Sequence, residues 1–351
     1  MEEQGIMIKY FKITICSFLF FISCNKEKEM SNKTDFVWSA TVTSVEDYPI
    51  EIHKGYLATQ DKFITALHNS GIEDDGWSYD GTDIGAGGNI IPSILSLTWV
   101  SYAEKKFWNI EATIDETTQN KMLELFREGF YNWNHAKEKL IHETYKHITV
   151  AVAPGGIVVL FLTGDVHRRE IARYQAKETF VDVNSFVPVP GAFKDLETFY
   201  DKFYKGLVPK YLQEKIAKAG IPYGIWDTYR EKYNWRFTMS FYKEDKLNHY
   251  YVGYINGEED NIYQEVINKK SFNHLALPLN ASFYFKIYNS EAKFDEEEIV
   301  AAFKKMKKNH PDKDIEIEVR PAFMYKTTTF TVKCEGEEIP LEKTVVKMYK
   351  N

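Results

Sequence analysis

The sequence predicts an α+β fold of antiparallel sheets, each packed with a helix, in two tandem copies of a related unit. Three observations carry this. Leu95, Leu97 and Trp99 alternate with Ser96, Thr98 and Val100, the period-two pattern of a strand. Asp115 precedes Met122, Phe126 and Phe130, spaced four apart along one helix face. A second series of strand, capped helix and hairpin follows from residue 233.

The elements follow in order. Residues 36–42 read as a strand, and 48–52 as a second, with Gly55 nearby. Residues 81–89 are glycine-rich and read as a surface loop. That loop lacks the Lys-Ser/Thr ending of a phosphate-binding loop and does not join a strand to a helix, so it is no nucleotide fingerprint. Residues 107–114 return against the Leu95 strand as a hairpin. Gly129 closes the helix that Asp115 caps, and a polar insert spans 131–146. Pro154-Gly155-Gly156 turns between strands 148–153 and 157–162, and the second of these is apolar on both faces, hence central. A helical connector over 193–219 ends at Gly220-Ile221-Pro222.

The order then recurs. Residues 234–239 answer the Trp38 strand, and Asp295 caps a helix with Glu298 placed for a capping box. Ile299, Phe303 and Met306 line that helix, and Pro311 ends it. Ile315, Ile317, Val319 and Pro321 repeat the spacing of Ile148, Val150, Val152 and Pro154, with 327–334 opposite. The expected organisation is a signal peptide over 1–24, a tether over 25–35, a first domain over 36–190, a helical connector over 191–232 and a second domain over 233–351.

The first residues give an address. Lys9 and Lys12 precede an apolar stretch over 13–23, which ends at the lipobox Phe21-Ile22-Ser23-Cys24. The stretch is shorter than the roughly 20 residues that span a bilayer. A start at Met7 keeps the leading region positive, because Glu2 and Glu3 would cancel the lysines. Cys24 is therefore the expected lipidation site, carrying diacylglycerol on sulfur and a further acyl chain such as palmitate on its amine. Two or three chains hold stably, at roughly 0.8 kcal/mol per buried methylene. The segment Asn25-Lys26-Glu27-Lys28-Glu29 resembles the surface-export signal of some Bacteroidetes lipoproteins, with Lys28 interrupting the acidic pair. The expected location is the cell envelope, on the outer membrane and exposed at the surface.

A net charge of −7 argues against a broad basic patch, and so against a nucleic-acid partner. Of three cysteines, Cys16 leaves with the signal and Cys24 takes lipid, so Cys334 remains alone in a strand-like run and reads as packing. Aromatics make up 15% of the chain, which suits a β-rich core or a sugar- or partner-binding face.

The candidates for chemistry are few. Asp165 and His167 follow a central strand and would share a face if that strand continued, which makes them a candidate acid/base pair for a hydrolase. No nucleophile accompanies them. His142 and His147 stand five apart without cysteines, which is not a metal-ligand pattern. Asp74-Asp75 reads as a solvated loop, and 295–298 as a helix start that suits the positive end of the dipole. Trp77 and Trp133 fall outside clear strands and are candidate exposed binding residues. Neither a cofactor nor a metal is expected.

Trp38, Tyr48-Pro49-Ile50, Leu97-Thr98-Trp99-Val100-Ser101 with Glu104, and Ala153-Pro154-Gly155-Gly156 with Gly164 resemble a bacterial group, the domain of unknown function 2931. The resemblance runs over 38–164 and extends toward 226–235. It implies envelope residence and no established activity. Within it, Trp99, Gly155 and Gly156 join the binding candidates. The second copy has Ala322-Phe323 where the first has the double glycine. The leading expectation is a membrane-anchored, non-enzymatic protein-binding module, of inhibitor or immunity type. The alternatives are a glycan-binding surface lipoprotein and the Asp165/His167 hydrolase.

Overall fold

The computed structural model of the chain describes residues 36–68, 71–134, 136–241, 245–263 and 272–350. The expected signal peptide, the tether and the lipidation site Cys24 lie outside these residues.

The first half contains β1 (Trp38–Ser44), β2 (Ile50–Ala58), β3 (Phe63–Ala66), β4 (Ile72–Glu73), β5 (Thr82–Gly88), β6 (Ile94–Ser101) and β7 (Lys106–Thr113). Helix α1 (Glu116–Glu128) follows, then β8 (Phe130–Asn134), β9 (Lys139–Glu143), β10 (His147–Ala153), β11 (Ile157–Gly164), β12 (His167–Gln175) and β13 (Lys177–Thr179). The connector holds α2 (Val183–Phe186), α3 (Leu196–Leu207), α4 (Lys210–Ala219) and α5 (Ile225–Thr228). The second half holds β14 (Tyr233–Met239), β15 (Leu247–Tyr254), β16 (Glu259–Tyr263), β17 (Asn273–Leu275), β18 (Pro278–Phe285) and β19 (Tyr288–Lys293). It ends with α6 (Glu296–Asn309), β20 (Ile315–Pro321), β21 (Thr328–Cys334), β22 (Glu337–Pro340) and β23 (Val345–Lys350). The fold is thus α+β and mostly antiparallel.

A ten-stranded sheet runs β23-β19-β18-β15-β16-β12-β11-β10-β1-β5 and draws on both halves. Two smaller sheets flank it: β13-β7-β6-β2-β3 with β4 on β2, and β17-β14-β20-β21-β22. In both halves the opening tryptophan strand pairs in parallel with the first strand of the later hairpin, β1 with β10 and β14 with β20. In each half a capped helix precedes that hairpin: Asp115 accepts from Thr118 N at 2.8 Å, and Asp295 from Glu298 N at 2.9 Å.

Apolar periodicity decides what each face covers. In the first half, Trp38 and Val42 of β1, Leu97 and Trp99 of β6, Met122 and Phe126 of α1 and Val150 of β10 form one core. In the second half, Trp235, Phe283, Phe303 and Ile317 form the equivalent core. β11 is buried along its whole length, so its other face needs a cover. The connector supplies it, with Phe199, Leu212 and Trp226 packed on Val159 and Phe161. Each fully buried side chain of this size contributes roughly 1.5–3 kcal/mol.

Several expectations change. Residues 81–89 are not a surface loop: they supply β5, an edge strand antiparallel to β1. Gly87 is there for room, since a Cβ on it would lie 2.3 Å from the Trp38 ring. Phe130 is not on the α1 face, because the chain turns at Gly129 and Phe130 opens β8. The polar insert folds as a two-stranded ribbon, β8–β9. Glu298 makes no capping box; its carboxylate accepts instead from Glu342 N and Lys343 N. Cys334 is buried in β21, and its thiol donates to Asp314 O at 3.4 Å. Among the described residues, no helix is long and apolar enough to cross a membrane.

Candidate functional site: a cleft where the halves meet

The halves join in the central sheet through one registered pair, Arg168 of β12 with Glu259 of β16. β12 opens His167-Arg168-Arg169-Glu170, and β16 opens Glu259-Asp260 after Glu258. Opposite charges thus face each other where apolar side chains would otherwise meet. Successive strand residues point to opposite faces, so the charges divide between two sites.

On one face Asp260 is buried and fully engaged. Arg169 Nη2 donates to its carboxylate, and Tyr254 Oη donates to it at 3.0 Å. Arg169 Nη1 also donates to Glu259 O at 2.9 Å. His167 brings Nδ1 to 3.8 Å from Asp260 Oδ1 and stacks on the Phe130 ring at 4.2 Å. Burial alone would raise the Asp260 carboxyl, but Arg169 and His167 hold it below the usual range. On the other face Arg168, 0% exposed, donates to Trp77 O and the Asp80 carboxylate and lies over the Phe161 ring. Glu259 shares that face; burial pushes its carboxyl up to about 7, against the pull of Arg168.

Beside His167 and Asp260 opens a cleft of about 520 Å³, walled by the end of α1, the β8–β9 ribbon and β16. This volume falls in the range of ligand pockets. Its lining is largely aromatic and aliphatic, with Leu125, Phe130, Tyr131, Tyr145, Ile262 and Tyr263. Tyr263 ties the ribbon down: its Oη accepts from Trp133 N at 3.1 Å and donates to Asn132 Oδ1 at 2.9 Å. Tyr131 and Trp133 alternate with Asn132, so both turn to the same ribbon face, 54% and 40% exposed. No serine, threonine or cysteine lines the cleft among the described residues.

The expected acid/base pair is not assembled. The strand does not continue through it: the chain reverses at Asp165, whose φ is 46°. The Asp165 carboxylate accepts from Lys146 Nζ at 2.9 Å and Asn132 Nδ2 at 3.1 Å, while the acid beside His167 is Asp260. Trp77 is not exposed either; it is 5% exposed and donates from Nε1 to Val152 O at 3.0 Å. Trp99 lies in the first-half core. Of the tryptophans singled out, Trp133 alone stands at the surface beside the cleft.

Gly155 and Gly156 form a braced turn rather than an open contact. Glu104 accepts from Gly155 N at 2.9 Å and from Trp108 Nε1 at 3.1 Å. Burial pushes the Glu104 carboxyl up, although these donors oppose it. Gly156 has φ 73°, and a Cβ there would lie 2.6 Å from Trp108. His142 and His147 each hydrogen-bond elsewhere, to Glu128 O at 2.6 Å and Ser39 Oγ at 2.9 Å. No group of three or more metal-ligating side chains occurs among the described residues.

Asp260 and Arg169 escaped the sequence reading because they are each other's partners from about ninety residues apart, and Asn261 was missed with them. The signal that could have found them is the matched pair of charge runs, 167–170 and 258–260, each flanked by strand-like sequence.

The family described as "Protein of unknown function (DUF2931)" matches residues 25–224, which include the ribbon, His167 and Arg169 but stop short of β16. No curated protein and no solved structure matches the chain. With more than half of its length matched, the chain belongs to the DUF2931 family.

Proposed function

We propose that this protein is an envelope-anchored, non-enzymatic binding module that docks a protein partner on the β8–β9 ribbon and the cleft beside it. One observation carries the reading: Tyr131 and Trp133 stand exposed on one ribbon face, next to a cleft with no serine, threonine or cysteine in its lining among the described residues. Large aromatics held on a braced element supply contact area at little entropic cost, and such residues dominate binding energy at interfaces. Tyr263 ties the ribbon down at Asn132 and Trp133, so the face is preorganised. An inhibitor or immunity type of module fits a face of this kind.

The lipobox that ends at Cys24 supports the envelope setting. Cys24→Ser is expected to move the chain from the membrane fraction to the aqueous fraction and to abolish labelling by palmitate. The docking face is tested by retention of an envelope or secreted protein on immobilised chain. The partner should be retained in near-equal amounts by the wild type, and at least about tenfold less by Tyr131→Ala/Trp133→Ala. Equal retention by both would overturn the face.

The same aromatic rim beside a concave cleft also favours a second reading, a glycan ligand. Retention of polysaccharide without protein would select it over the first.

A further inference from the structure

Two side chains of the cleft carry buried polar atoms without a hydrogen-bond partner, His167 Nε2 and Asn261 Oδ1. Their other contacts define what each lacks. Asn261 Nδ2 donates to Tyr263 Oη at 2.8 Å, which leaves Oδ1 as a bare acceptor. His167 directs Nδ1 toward the Asp260 carboxylate at 3.8 Å, and in the tautomer that sets the ring proton on Nδ1, Nε2 is an acceptor on the cleft. Both orphans therefore call for a donor. Natural interiors rarely leave such groups unmet.

Charge and shape narrow the donor. The lining holds the carboxylates of Glu128 and Asp260 against one guanidinium, Arg169, which Asp260 and Glu259 O already engage. Glu128 stands at the exposed end of α1, at the mouth. Tyr131 lines the cleft with an exposed ring that meets His142 edge-on, while the Tyr263 ring is stacked on His249. A group with donors only, a positive charge and a flat surface that stacks on aromatics meets all of these demands, and that group is a guanidinium. An ammonium lacks the plane, and a sugar hydroxyl leaves the excess negative charge unused.

We propose that the cleft receives an arginine side chain of the protein partner, donating to Asn261 Oδ1 and His167 Nε2 and stacking on Tyr131. This rests on the docking reading above and specifies its anchor. The chain's net charge of −7 complements a basic partner.

The probe is N-acetyl-arginine methylamide, titrated into the purified chain and followed by NMR, beside the lysine compound and the uncharged citrulline compound. The arginine probe is expected to bind about tenfold or more tightly than citrulline, with lysine between. Glu128→Gln, a change at an exposed position that spares the fold, should weaken the arginine probe severalfold and leave citrulline unchanged. Asn261→Ala should weaken it about tenfold. Absence of arginine binding, citrulline binding as tightly, or indifference to both substitutions overturns the anchor. If the probe fails while Tyr131→Ala/Trp133→Ala still abolishes partner retention, the anchor is wrong and the docking face stands. If the probe binds while that variant retains the partner, the docking face is wrong.

Discussion

The two halves share an order of elements, and they differ at the places where the candidate site is built. Between helix and parallel strand the first half inserts the β8–β9 ribbon, whereas α6 passes to β20 through a short turn. In the first half a glycine turn links the hairpin; in the second the link is a single 3-10 turn, Phe323–Tyr325. The first half also sends β12 across to meet β16, while the last strand of the second-half hairpin sheet, β22, stays at an edge. A shared framework thus carries the core in both halves, and the cleft arises where the ribbon and β12, which only the first half adds, meet β16 of the second.

The largest expected effects test the shared framework. Trp38 and Trp235 occupy matching positions, both 1% exposed, and donate from Nε1 to Ile90 O and Ala276 O, each at 3.0 Å. Trp38→Ala and Trp235→Ala should each cost about 3–5 kcal/mol in urea unfolding, because each removes a buried indole and orphans a carbonyl. If one is tolerated and the other is not, the likeness of the halves stops at element order and does not reach their energetics.

The next effect separates the junction from the framework. The Glu259 carboxyl is pushed from 4.5 to about 7 by burial. Below pH 4.5 the folded and unfolded chains both hold this proton. Between about 4.5 and 7 only the folded chain does, so stability falls as pH rises, and above 7 the loss is complete. The total is roughly 3 kcal/mol, at about 1.4 kcal/mol per pH unit. Glu259→Gln should therefore stabilise the chain at pH 8, by about 1–3 kcal/mol, and should change little at pH 4.5. A stability profile that the substitution leaves unchanged would mean that Arg168 compensates the charge in full.

These contrasts show what local sequence carries. Helix caps at Asp115 and Asp295, the hairpin at Pro154 and the apolar run of β11 were legible because each depends on neighbours within a few residues. The glycines of β5 misled, because Gly87 leaves room for the Trp38 ring about fifty residues away and Gly85 for the Thr65 side chain. Asp165 and His167 misled for the opposite reason: nothing local announced that the strand would end between them, and the true acid, Asp260, comes from the other half. Trp133 was found, yet its place in the site depends on Tyr263, which no spacing rule connects to it.

A smaller effect compares the two turns. Gly156 has φ 73° and sits against Trp108, whereas Met324 holds φ 54° in the second-half turn with a full side chain. Gly156→Ala should cost about 1–3 kcal/mol, from strain and from the clash. Met324→Gly should relieve the strain and gain less than about 1 kcal/mol, since glycine also loosens the unfolded chain. Thermal unfolding of the two variants measures both. Opposite signs would confirm that the turns reach one conformation by different means, and losses of equal size would show that Met324 is held by packing.

The smallest effect reverses the sign found at the junction. Glu318 lies on β20, in the outer sheet of the second half, where burial works against its charge. Ser240 and Lys333 outweigh that burial, with Arg320 adding to them, and the carboxyl is held at about 2. Lys333 Nζ stands 3.1 Å and Arg320 Nη2 2.9 Å from its oxygens. A carboxyl lowered in the folded chain contributes stability above the unfolded value of 4.5 and loses it as pH falls toward 2. Water and salt screen this group, so Glu318→Gln should cost less than about 1 kcal/mol at pH 7 and nothing near pH 2. Urea midpoints at the two pH values, in low and high salt, decide it. A loss at pH 7 that shrinks with salt marks surface pairing. A loss that persists at pH 2 places the cost in the Ser240 hydrogen bond, which an amide side chain receives less well than a carboxylate does.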